Sequence, residues 1–188
     1  NILCPPNCIF FIMSDVNKYL KASKIVLSMR FPFFASLLAR MKIEVTDKVP
    51  TLAVTPCDKI LINENFFIGL NDHMKRAFVL AHEILHPALG IFFRGKGLDP
   101  RLTNIAHDFV INLILYDFNK DWFIKGGLLD EKYRGMSFEA VYAELKDEVE
   151  ESNSSGSNVG SSTGGGSGNG AGAIVHSCKK IKKRIPKQ

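Results

Sequence analysis

Between Ala77 and Leu89 the chain is apolar at helical spacing, yet three ionisable residues, His82, Glu83 and His86, sit inside the run. A helix carrying Ala77, Phe78, Leu80, Ala81, Ile84, Leu85 and Leu89 must be buried on most of its surface. It then takes two imidazoles and a carboxylate into the interior with it. Ionisable groups are almost never fully buried unless paired. Any fold open to this chain must therefore bring polar partners to one short stretch of one central helix.

The spacing says what those partners do. Residues i and i+4 share a helix face, so His82 and His86 can present two nitrogens to one metal ion. Glu83 lies about 100° further round, beside that ion, where it can take a proton from bound water. A chance HExxH on an amphipathic helix is the competing reading, and five His in 188 residues make it rare. Pro87 removes one helical hydrogen bond and is expected to kink the helix just past His86.

A catalytic zinc needs a third protein ligand and an open position. The next apolar helix, opened by Pro100 and running over Thr103 to about Tyr116, carries a polar stripe four residues apart: Asn104, Asp108 and Asn112. Asp108 is the expected third ligand and its neighbour His107 the alternative, since adjacent helical residues cannot face the same way. Asn104 and Asn112 are expected to support the ligands; a backbone-satisfied amide is the other reading of Asn112. His73, at a helix start, reads as an exposed capping-region residue, and His176 takes no role. Arg94 and Arg101 flank the loop between the helices and read as solvated, with carboxylate binding as the alternative.

The remaining organisation is coarse. Residues 14–42 read as helical, interrupted at Pro32. Ile43–Val45, Thr51–Val54 and Lys59–Ile62 read as strands, with a turn at Pro56-Cys57-Asp58, giving a hairpin or small antiparallel sheet. Asn71 or Asp72 caps the central helix, and Ser137 caps a last helix from Phe138 to about Leu145. Residues 152–172 are almost entirely Ser, Gly and Asn, a flexible linker. The folded domain is thus expected over residues 14–150, the linker over 151–172 and a basic tail over 173–188. Residues 1–13 lack an initiator Met, and Met13-Ser14-Asp15 reads as the better start. Residues 1–12 are read as upstream or cloning-derived sequence, and 1–13 as a doubtful N-terminal extension.

Charge and cysteines narrow the function class. The net charge of +5 comes from six basic residues in the last ten. Without them 18 basic residues face 19 acidic ones, so the domain has no nucleic-acid footprint. No apolar run approaches the roughly 20 residues of a membrane span, and there is no secretion signal. Cys4, Cys8, Cys57 and Cys178 form no CxxC pair. A cytoplasmic protein with reduced thiols is expected.

Several stretches, in order, resemble a known family. They are Leu52-Ala53-Val54-Thr55 with Asp58-Lys59-Ile60, Asn63 to Phe67, Leu80 to Gly90 around His82-Glu83-Ile84-Leu85-His86, Asp99-Pro100, Asn104 to Asn112, Gly127-Leu128-Leu129-Asp130, and Val141 to Leu145. Over residues 14–147 the chain resembles the metallopeptidase-type domain that precedes von Willebrand A-like domains in bacterial and phage proteins. The resemblance implies a zincin-like α+β fold, mainly helical, with the metal site on two adjacent helices. It supports Asp108, which matches the Asp of the family's Ala-x-Asp-x-x-x-Asn pattern. It implies zinc-dependent peptide hydrolysis by metal-activated water with Glu83 as general base, acting on a peptide or protein substrate. The alternative is a metal-stabilised, non-catalytic interaction module working with a von Willebrand A-like partner. Here no such domain comes after the linker, so a split, truncated or shortened gene is expected.

Overall fold

The computed structural model describes residues 15–154. The N-terminal stretch 1–13, nearly all of the linker, the basic tail, Cys4, Cys8, Cys178 and His176 lie outside the described residues. Helix α1 (Asp15–Arg30) buries Val16, Leu20, Ser23 and Leu27. Pro32 then opens α2 (Pro32–Leu38), where a fixed φ suits the first turn and the missing N–H costs nothing.

Three short strands come next in the chain: β1 (Lys42–Val45), β2 (Leu52–Thr55) and β3 (Lys59–Ile62). The expected hairpin is present, with β2 antiparallel to β3. Its loop closes on Asp58 at φ 52°, as a three-residue hairpin loop ending in a left-handed residue does. The third strand departs from the expected antiparallel pairing. β1 joins β3 in parallel, so the order is β1-β3-β2 and the sheet is mixed. The chain leaves β1, crosses to the far edge as β2, and returns up the middle.

Asn63 ties the sheet to the first helix beyond it. Its amide donates to Val49 O (2.9 Å) and its carbonyl accepts from Phe66 N (3.0 Å), capping α3 (Glu64–Gly69). Helix α4 (His73–Ala88) is capped by Asp72, which accepts from Met74 N (2.8 Å). Pro87 lies in its last turn, so the expected kink becomes a helix end: Gly90 adopts φ 77° and donates to Pro87 O. Short helix α5 (Ile91–Arg94) leads to α6 (Pro100–Phe118), capped by Asp99. Two 3-10 turns, Lys120–Trp122 and Glu131–Tyr133, precede α7 (Phe138–Ser154). Ser137 Oγ accepts from Ala140 N (3.3 Å) as expected of a cap. That helix runs nine residues beyond the expected Leu145, through an acidic stretch in which Glu148 pairs with Lys132 and Glu150 with Lys146.

α4 is the central element, buried from Arg76 to His86 except at Val79. It packs on α1, β2 and α6. α6 separates two cores. Ile111 and Leu115 join α1, α4 and the sheet. Ile105, Phe109 and Leu113 pack on Leu128, Tyr133 and α7. The polar stripe Asn104–Asp108–Asn112 lies beside the Ile111/Leu115 face, so it too is turned toward α4. The fold is α+β and mainly helical. No helix among the described residues is long and apolar enough to cross a membrane.

One buried charge at the N-terminal end of α4 holds the frame. Arg76 donates from Nε to Phe67 O (2.7 Å) and from Nη2 to Ile68 O (2.8 Å). Its guanidinium lies 4.0 Å from the Tyr19 ring centroid. A cation thus meets the carbonyl end of α3, where the helix dipole favours it, and joins α1, α3 and α4. Arg76→Met keeps the stem but leaves two carbonyls without donors. We expect it to lower unfolding free energy by about 2–4 kcal/mol, read as a lower urea midpoint at unchanged m-value.

Candidate metal centre

His82 and His86 stand one turn apart on α4, with ring centroids 4.9 Å apart and the planes nearly perpendicular. Asp108 on α6 meets them. Its Oδ1 lies 3.2 Å from His82 Nε2 and 3.3 Å from His86 Nε2, and the two Nε2 atoms are 3.1 Å apart. All three side chains are at most 4% exposed. Among the described residues these three form the group able to hold a metal ion. Three ligand atoms on a tetrahedral ion at about 2.0–2.1 Å stand about 3.3–3.4 Å apart, close to the triangle seen here.

The hydrogen bonding around the triangle gives the same reading. Asn112 Nδ2 donates to Leu128 O (2.8 Å), so its Oδ1 faces His82 Nδ1 (3.0 Å). His82 Nδ1 therefore carries the proton that Asn112 accepts, and in the neutral ring Nε2 is a lone pair. Two imidazole nitrogens and a carboxylate oxygen meeting at van der Waals range cannot all be satisfied by hydrogen bonds among themselves. Asp108 Oδ1 has no proper donor, and it is buried. A divalent cation accepts all three lone pairs, so the donor set fits such an ion. Two imidazole nitrogens and a carboxylate oxygen suit a first-row divalent ion.

Asn104 Nδ2 lies 3.4 Å from Asp108 Oδ2, so the whole Asn104–Asp108–Asn112 stripe faces the site. One end of the Asn112 amide meets a backbone carbonyl and the other a ring nitrogen. His107 turns away from the triangle. Its ring packs 4.3 Å from that of Phe138 and 5.9 Å from that of His86. Both its nitrogens are buried without hydrogen-bond partners, as is His86 Nδ1. His73 is exposed.

Electrostatics reflect the burial. Desolvation works against charge on both His82 and Asp108, but each outweighs that for the other. The carboxylate raises His82 above its ordinary value, and the two imidazoles hold Asp108 below the usual range. A carboxylate that draws a proton to His82 Nε2 draws a dication by the same attraction. Burial pushes Glu83 up, against the opposing pull of the two imidazoles. Burial pushes His107 down to about 3, leaving it neutral.

Glu83, only 3% exposed, turns toward β2. The register of that strand explains what it finds there. Asn63 N–H donates to Thr51 O (2.7 Å), so Thr51, Ala53 and Thr55 bond to β3. Leu52 and Val54 then aim their N–H and C=O groups at the open edge. The Val54 backbone N–H meets the Glu83 carboxylate. β2 is thus a sheet edge running alongside the Glu83 carboxylate.

Several contributors escape sequence reading. Leu128 O orients Asn112 from 16 residues away. Arg94, expected to be solvated, instead grips Glu139 of α7 through Nε (2.8 Å) and Nη2 (2.6 Å), holding that carboxylate down at about 2. The pair joins α5 to the helix that packs behind His107. A Glu in the first turn of α7 marks only a favourable dipole position, so no local signal discloses the partner.

Among known proteins, a family described as "Putative metallopeptidase domain" matches residues 16–185. No curated protein and no solved structure matches the chain.

Proposed function

Because the chain belongs to this family of putative metallopeptidase domains, we propose that it hydrolyses peptide bonds at a zinc ion, with Glu83 as general base. The observation that carries the proposal is the buried triangle of His82 Nε2, His86 Nε2 and Asp108 Oδ1 with Glu83 one position from the first ligand. These three atoms would hold the ion, which when bound supplies Lewis acidity, lowering the pKa of water and polarising a carbonyl.

The chain's own residues supply the rest. Glu83 takes the proton as the water oxygen bonds to the carbonyl carbon. The same carboxyl then delivers that proton to the amide nitrogen as the carbon–nitrogen bond breaks. Asn112 keeps His82 in the tautomer whose Nε2 lone pair faces the site. The open edge of β2 offers the Leu52 N–H and C=O and the Val54 C=O to an extended peptide, which binds by adding a strand. Two helices fixed by two cores keep the donors from drifting, as a site of this kind requires.

The full chain, supplied with zinc, is expected to retain one zinc per molecule by elemental analysis. It should generate new termini in a denatured protein mixture, read by mass spectrometry. A chelator should stop cleavage and added zinc restore it. Failure to retain zinc, or cleavage indifferent to chelation, would remove the proposal.

A further inference from the structure

Beside Glu83 and His82 lies a cavity of about 120 Å³ that the hydrolytic chemistry does not use. Its walls are Phe66, Leu70, Phe78, Val79 and Ile124, with Leu52 of β2 at one side. Lys125, Gly126 and Gly127 complete the lining. The loop they form is built for close approach. Gly126 takes φ 101°, and a Cβ on Gly127 would meet the Phe123 ring at 2.9 Å. His82, Glu83 and Asn112 reach the cavity from the metal side.

We infer that this cavity is a specificity pocket for a large apolar side chain of the substrate, one bordering the bond that is cut. The inference rests on the peptidase reading and adds to it a substrate class: extended peptides with Leu, Phe, Met or Ile at that position. Three observations select this occupant. The first is position. The pocket adjoins both Glu83 and the open edge of β2, so a strand laid on Leu52 sends alternate side chains toward it. The second is chemistry. Apart from the groups of the site itself, only Thr51 and the exposed Lys125 bring polar side chains to the lining, so a charged or amide side chain buried against the remaining apolar wall would lose its hydration with little compensation. The third is size. A cavity of about 150 Å³ takes a benzene molecule; this one is somewhat smaller, which suits a branched aliphatic side chain and puts a single ring at its upper limit.

The test uses the full chain with added zinc, carrying Glu83→Gln to halt turnover. It is titrated with blocked peptides Ac-Ala-Ala-X-Ala-Ala-NH2, where X is Gly, Ala, Leu, Phe, Asp or Lys, and dissociation constants are read by NMR. Leu and Phe are expected to bind about 10- to 100-fold more tightly than Gly, with Asp and Lys no better than Gly. Filling the cavity from two independent sides, by Leu70→Trp or Ile124→Trp, should abolish that preference. Both positions are half-exposed, and either variant suffices if the other fails to fold. Equal affinity across X, or a preference that survives both fillings, overturns the pocket. Wild-type chain with zinc separates this from the peptidase reading. Apolar preference in binding without any cleavage defeats hydrolysis and leaves the pocket standing. Cleavage of Gly and Leu peptides at equal rates does the reverse.

Discussion

Glu83→Gln is expected to leave zinc content at the wild-type level and to cut peptide turnover by about 10²- to 10⁴-fold. The two effects separate because Glu83 is not one of the three converging donors. His82, His86 and Asp108 close the triangle without it, so the amide should not disturb the metal. Gln has nearly the same volume and its carbonyl can still accept from the Val54 N–H, which now meets the carboxylate. What it cannot do is take a proton at neutral pH. The fold should also survive, since burial already penalises charge on this carboxylate and a neutral isostere removes that penalty. Zinc stoichiometry and cleavage rate measured on the same preparation check this. A protein that uses the metal only to hold its shape, for docking on a partner domain, would lose nothing with Glu83→Gln. Unchanged cleavage would mean that another group moves the proton.

Much of this site is legible in the sequence because it depends on helical periodicity. His82 and His86 one turn apart, and Asn104, Asp108 and Asn112 each one turn apart, form two polar stripes on two apolar helices. Two such stripes must face each other, since nothing else in a small core could satisfy them. The parts that escape are those fixed by distant pairing or by local capping. The parallel register of β1 against β3 depends on where the chain crosses, and four-residue strands carry no signal for it. Helix α3 is a short segment whose cap, Asn63, also reads as a turn residue. Arg76 looks like one more basic residue on an amphipathic helix. Only the fold shows two α3 carbonyls at its guanidinium. Arg94 and Glu139 are 45 residues apart. Periodicity ends α7 too early because its last turns carry almost no apolar residues; there Glu148 pairs with Lys132 and Glu150 with Lys146, contacts that apolar periodicity does not register.

Asp108→Ala is expected to lower zinc affinity by at least about 100-fold, while His107→Leu leaves it unchanged. The bound comes from supporting residues, whose loss costs about 10- to 100-fold, and a charged ligand should cost more. Asp108 supplies the only negative charge among the three converging atoms, and with it gone two neutral imidazoles face the ion alone. Adjacent His107 cannot take over. Its ring is held 4.3 Å from Phe138, on a face of α6 about 100° away. Bringing it to the triangle would require α6 to rotate within two cores that grip it from opposite sides. A buried ring whose nitrogens bond nothing is replaced by Leu without loss of a hydrogen bond, so the His107→Leu chain should fold and load normally. Competition with a chromogenic chelator would rank wild type, Asp108→Ala and His107→Leu directly. Tight zinc in Asp108→Ala together with weak zinc in His107→Leu would exchange the two roles and require α6 to sit in a different rotation from the one described.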